Sequence, residues 1–145
     1  MKRLAAIAVF AVLVALPLLY AQESAPKYVG MDKCKMCHSD QYDVWSKRPM
    51  SKAYESLVMV GEEKNEKCLS CHTTGYGKEG GFKDAESTPG LKGVTCEACH
   101  GPGEKFMKSM MSGEGGGDAR ENAKKACVNC HTDALIHGDG HKGMK

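Results

Sequence analysis

The eight cysteines of this 145-residue chain fall into four pairs of identical spacing, and a histidine follows each pair: Cys34-Lys-Met-Cys37-His38, Cys68-Leu-Ser-Cys71-His72, Cys96-Glu-Ala-Cys99-His100 and Cys127-Val-Asn-Cys130-His131. Two thiols three residues apart can add across the two vinyl groups of one porphyrin. The adjoining imidazole then lies beneath the ring, where it can bind the iron as proximal ligand; Cys-x-x-Cys-His is the attachment signature of c-type haem. Four copies predict four covalently attached haem c groups, held by Cys34 and Cys37, Cys68 and Cys71, Cys96 and Cys99, and Cys127 and Cys130, with His38, His72, His100 and His131 on the irons. A zinc ribbon wants two Cys pairs about 15 to 20 residues apart, whereas 30, 24 and 27 residues separate successive pairs here, and zinc leaves the four histidines unexplained. A disulfide framework accounts for an even cysteine count in an exported chain, but not for the constant spacing or the histidines.

Six histidines in all leave only His137 and His141 for the opposite faces of four irons. At most two haems can therefore be bis-histidine. The remaining irons take another side chain, such as the thioether of one of the eight methionines after Met1, or keep an open position.

The elements that carry these motifs repeat loosely. First cysteines of successive motifs lie 34, 28 and 31 residues apart, one attachment site plus one connection each. Tyr42, Trp45, Tyr54, Leu57 and Val58 mark two short helices after the first motif, with Pro49 suited to the first turn of the second, which runs to about Val60 before Gly61. Strand signals are nearly absent. Thr73 to Thr95 reads as a Gly-rich surface excursion and Ser112 to Gly117 as a flexible loop, after which Asp118-Ala-Arg-Glu121 forms a capping box opening a helix into the fourth motif. Tyr42, Trp45, Tyr54, Tyr76 and Phe82 are expected against porphyrin edges.

Lys2 and Arg3, the apolar run Leu4 to Leu19, and Leu19-Tyr20-Ala21 before Gln22 read as an export signal, so residues 1–21 form a leader and residues 22–145 one tetrahaem domain. The 16-residue run, interrupted by Pro17, is short for a span of about 20 residues, and no other segment suits one. Export to the periplasm agrees with haem attachment, which needs thiols beyond cytosolic control. Without Lys2 and Arg3, 18 basic residues balance 18 acidic ones, which gives no nucleic-acid signal. Few large aliphatic side chains follow the leader, and Gly is abundant. The expected fold is therefore mainly α and loop-rich, a small multihaem cytochrome c fold organised around four covalently bound haems that supply most of its core.

The string Cys34-x-x-Cys-His38-x6-Trp45-x4-Met50-Ser-Lys-Ala53-x3-Leu57, followed by Cys68-x-x-Cys-His72-x-x-Gly-Tyr-Gly-x3-Gly-Gly-Phe82 and Gly93-Val-Thr-Cys-Glu-Ala-Cys-His-Gly-Pro-Gly103, resembles the tetrahaem cytochrome c-554 family over about Tyr28 to Met111. The resemblance implies a periplasmic electron carrier that accepts electrons from a hydroxylamine-oxidoreductase-like multihaem donor. It also implies distal ligands. The family has a histidine five residues after the tryptophan, where this chain has Met50, and another seven residues after Gly-Pro-Gly, where this chain has Met110. Met50 would thus face the third haem and Met110 the first, with Met107 and Met111 as neighbouring candidates. The second haem would be five-coordinate as in the family, and His137 or His141 would serve the fourth. Two other functions fit the same residues. An open haem at Cys68, Cys71 and His72 could reduce a small nitrogen or oxygen species, although no acid–base residue is evident for it, and a chain this short could be one subunit of a larger multihaem assembly.

Overall fold

A computed structural model describes residues 25–115 and 119–131. The leader, Asp118 of the expected capping box, His137 and His141 lie outside these residues. The described chain forms seven helices: α1 (Met31–Cys37), α2 (Ser39–Ser46), α3 (Ala53–Val60), α4 (Glu66–His72), α5 (Cys96–His100), α6 (Gly103–Met111) and α7 (Ala119–Cys130). Two 3₁₀ turns, Pro49–Lys52 and Pro89–Leu91, complete it. Among the described residues the only β pairing is one isolated antiparallel bridge between Thr73 and Lys92. The mainly helical, loop-rich architecture is the one the composition predicts.

Local chemistry sets the helix limits. Pro49 opens its 3₁₀ turn at a position where a missing N–H costs nothing, and the chain winds directly on into α3. Gly61, with φ of 74°, ends α3 in the left-handed conformation, and the Glu62 N–H turns back to the Leu57 carbonyl at 2.9 Å. The Asn65 side chain caps α4 by accepting from the Lys67 N–H at 3.1 Å. Helix α7 runs unbroken into the fourth cysteine pair.

Tyr54 and Leu57 of α3, Leu69 of α4, Phe82 and Leu91 form the buried apolar cluster, with Tyr28, Cys68, Tyr76 and Ala85 against it. The rings of Tyr54 and Phe82 meet at 5.4 Å in a tilted pair inside this cluster. The cluster is small for its chain, and Met36, Met59 and Met111 are more than three-quarters exposed.

Residues 73–95 depart from the sequence expectation. They form a surface excursion only in part: residues 77–80, 83–84, 86–87 and 89–90 are exposed, but Thr73, Thr74, Gly81, Phe82, Leu91, Gly93 and Thr95 are buried. Gly75 and Gly81 serve close approach instead of exposure, since a Cβ on Gly81 would collide with the backbone of Gly75, and one on Gly75 would strike the Tyr28 ring. The segment folds back so that Thr74 accepts from the Phe82 N–H at 2.9 Å and donates its own N–H to Leu91 at 3.0 Å. The Thr74 hydroxyl, fully buried, donates to the Gly93 carbonyl, accepts from the Thr95 N–H and touches the Thr95 hydroxyl, each at 2.9 Å. Thr73 ends α4 and Thr95 precedes α5, so this network ties the second motif to the third.

At the other end, residues 27–30 form a strap over later parts of the chain. Lys27 exchanges backbone bonds with Glu104, donating to its carboxylate at 2.9 Å and accepting from its N–H at 3.2 Å. The carboxylate of Glu97 takes the N–H groups of Val29 and Gly30. The strap leads directly into α1 and the first motif.

Candidate haem-attachment sites

Each cysteine pair lies on a helix, with its histidine one helical turn beyond the first cysteine. Cys34 and Cys37 belong to α1 with His38 as its cap; Cys68, Cys71 and His72 to α4; Cys96, Cys99 and His100 to α5; and Cys127 and Cys130 close α7 before His131. The backbone keeps the turn helical through the capping histidines, with His38 N–H to Cys34 at 3.0 Å and His131 N–H to Cys127 at 2.7 Å. Positions i, i+3 and i+4 fall on one helical face. Each motif thus presents two thiols and an imidazole to the same side, the donor set of a thioether-linked porphyrin. Among the described residues no three His, Cys, Asp or Glu side chains converge as a metal ion alone would require. None of the eight cysteines is paired in a disulfide, and six are only half-buried while Cys37 and Cys127 are exposed.

Two imidazoles are oriented by backbone carbonyls. His72 Nδ1–H donates to Ala53 at 2.8 Å, with the Ser56 hydroxyl 3.3 Å away, and His100 Nδ1–H donates to Ala119 at 2.9 Å. A carbonyl can only accept, so each ring is held with its proton on Nδ1 and its lone pair on Nε2, the arrangement that suits a histidine for iron. The carbonyls come from neighbouring helices: α3 orients the second motif's histidine and α7 the third's.

The motifs also approach one another. A hydrogen bond between the Cys34 and Cys96 thiols, with burial, pushes Cys34 up, and the same bond draws Cys96 down to about 7. Burial and then the neighbouring Cys127 raise Cys99. Cys130 is pushed up to about 12 by burial and by a hydrogen bond with Cys71. These proton equilibria belong to the free thiols and vanish once thioethers form, but the proximities behind them join the sites in the order first, third, fourth, second.

Met50 lies in the 3₁₀ turn, 42% exposed, and its carbonyl accepts from the Val94 N–H at 3.0 Å while Trp45 Nε1–H donates to the Val94 carbonyl at 2.8 Å. Both residues are thereby fixed two positions ahead of Cys96. They line an open, apolar-walled groove of about 390 Å3 with Asp40, Gln41, Val44 and Arg48. Met110 is 54% exposed on α6, between Met107 and the more exposed Met111. The residues that sequence reasoning missed are those acting through the backbone: Ala53, Ser56 and Ala119 around the imidazoles, and Thr74 between motifs. Ser56, Ala119 and Thr74 carry no motif signal, and Ala53, though a position of the string quoted above, acts through its carbonyl. Glu97 stands inside the third motif as a carboxylate between two cysteines.

Comparison with known proteins agrees with this geometry. Residues 33–101 match the family model described as cytochrome c554 and c-prime. Cytochrome c-554 of Nitrosomonas europaea is 32% identical over 148 aligned residues, which cover 81% of this chain and 62% of that protein. The solved reduced state of cytochrome c554 from Nitrosomonas europaea has the same fold with a TM-score of 0.55 at 30% identity, covering 74% of this chain and 66% of the other. The chain therefore spans about three-fifths of the length of its curated relative. Four helix-borne Cys-x-x-Cys-His faces, the flanking Trp45 and Gly-Pro-Gly103, and these matches together mark the chain as similar to the cytochrome c554 family of multihaem c-type cytochromes, with covalently bound haem as its cofactor.

Proposed function

We propose that the protein is a periplasmic tetrahaem electron carrier, exported by residues 1–21 and working between redox partners, with a hydroxylamine-oxidoreductase-like multihaem protein as donor. Bound haem supplies a one-electron ferric/ferrous couple; the chain supplies spacing and potential. Cys34 and Cys37, Cys68 and Cys71, Cys96 and Cys99, and Cys127 and Cys130 hold the four rings, and His38, His72, His100 and His131 bind their irons. Met50, tied to Val94, would complete the third site from the groove beside Trp45. Met110 would complete the first, since α6 begins beside the strap that leads into α1. His137 or His141 is left for the fourth site.

The observation that supports this reading is the packing of the motif-bearing segments on one another: α5 of the third motif lies against α7 of the fourth, and the Thr74 network links the second motif to the third. Reductive titration of the holoprotein should consume four electron equivalents per chain, with all haems exchanging rapidly. One haem equilibrating orders of magnitude more slowly than the rest would refute a connected carrier.

The ligand count favours a second property. Four irons share two histidines beyond the motifs, and an iron left open at Cys68, Cys71 and His72 should bind carbon monoxide or nitric oxide in the reduced protein at about one haem in four. Binding with slow turnover of nitrogen oxides fits the carrier, whereas fast turnover with a physiological reductant would make the protein an enzyme.

A further inference from the structure

The attachment chemistry makes no use of the buried carboxylate of Glu97. This residue occupies the second position of Cys96-Glu-Ala-Cys99-His100 and is 3% exposed. Its Oε1 accepts from the N–H groups of Val29 at 2.8 Å and Gly103 at 2.7 Å, and its Oε2 from that of Gly30 at 2.9 Å. Position 103 must lack a side chain for this, because a Cβ there would stand 2.5 Å from Val29 Cγ2 and 3.0 Å from Glu97 Oε1. Donors at both oxygens make a seat for the ionised carboxylate, an acceptor-only group. The ion pairs of the described residues join Glu104 to Lys108 and Glu121 to Lys124 and Lys125, and none includes Glu97. Peptide dipoles alone thus hold a negative charge out of solvent.

That charge sits between two attachment sites. Helix α5 carries it between Cys96 and Cys99, and two of its three donors lead straight into α1 and Cys34. Its field reaches both thiols: after the hydrogen bond to Cys96 and burial, Glu97 is a further influence pushing Cys34 up, and it opposes the lowering of Cys96. It also adds to burial in raising Tyr28. An anion fixed at low dielectric favours ferric over ferrous iron, since the ferric state carries one more positive charge. A unit charge about 10 Å away at an effective dielectric near 20 biases a one-electron equilibrium roughly tenfold.

Resting on the haem-attachment reading above, we infer that Glu97 is a tuning residue, a charge built into the strap junction that lowers the reduction potentials of the first and third haems. It binds neither ring nor iron and acts through its field.

The test uses holoprotein carrying Glu97→Gln, Glu97→Asp or Glu104→Gln beside the parent, with haem counted by denaturing mass spectrometry and potentials measured by spectroelectrochemical titration. Glu97→Gln should raise two of four potentials by about tenfold in equilibrium constant, ~59 mV for one electron. Glu97→Asp keeps the charge while shortening the reach, and Glu104→Gln removes a more exposed charge, on α6 beside the strap, so both should leave the potentials near the parent's. Potentials of Glu97→Gln that superimpose on the parent's overturn the inference. So does an equal rise in Glu97→Asp, which would assign the effect to lost hydrogen bonds. Should Glu97→Gln fail to accumulate with four haems, Glu97→Asp decides: parent-like potentials support the charge and a tenfold rise refutes it. A parent with fewer than four haems would instead overturn the attachment reading, and shows before any variant is made.

Discussion

Thr74→Val separates hydrogen bonding from packing at the junction of the second and third motifs. Valine has nearly the shape of threonine, so the buried site keeps its volume, but the Gly93 carbonyl loses its donor and the Thr95 N–H its acceptor. Each buried polar group left unsatisfied costs about 1–3 kcal/mol. The Thr95 hydroxyl, 2.9 Å from that of Thr74, can turn toward one of them, which leaves one group unsatisfied and an expected loss of about 1–3 kcal/mol. That is a large share of the ~5–15 kcal/mol that holds an ordinary domain folded. Thr74→Ser keeps the hydroxyl and loses one methyl group, for about 1 kcal/mol. Guanidinium unfolding of the ferric holoprotein, followed by far-ultraviolet circular dichroism with slopes compared between variants, should rank parent above Ser above Val. A Val variant within about 1 kcal/mol of the parent, or a Ser variant less stable than Val, would show that the hydroxyl network does not hold this junction.

Changing Cys68 and Cys71 together to Ala should remove one haem from the holoprotein mass and lower its stability, because the ring is part of the core; an unchanged haem count would refute that site. Met50→His should lower the potential of the third haem, since imidazole supports ferric iron better than thioether does, and a titration superimposable on the parent's would show that Met50 is no ligand. Asn65→Ala removes the cap of α4 and should cost about 1 kcal/mol in the same unfolding assay while the haem count stays at the parent's value.

The Cys-x-x-Cys-His motifs were legible in the sequence because covalent haem attachment would fix residue type and spacing at once, and the structure sets each on a helical turn. The helices around Trp45 and Tyr54 were legible too, since Pro49 and Gly61 announce their limits. Residues 73–95 were read only in part, for a definable reason: glycine permits both exposure and close approach, and only the backbone of Gly75 beside Gly81 tells which is meant. The groups that orient His72 and His100 were invisible because they are carbonyls, which every residue possesses. Glu97 was visible as a residue but not as a junction, two of its three donors lying 67 and 68 positions earlier.

That separation governs the order of assembly. The strap finds its partners only when Glu97, Gly103 and Glu104 exist, and closing so long a loop costs about 4 kcal/mol in chain entropy. Helix α1 thus precedes in the chain the carboxylate that fixes its entrance, and residues 27–30 have these partners only after the segment from Glu97 to Glu104 has been made. A change at Glu97 therefore loosens the approach to the first motif from 67 and 68 positions away, without altering any residue of that motif.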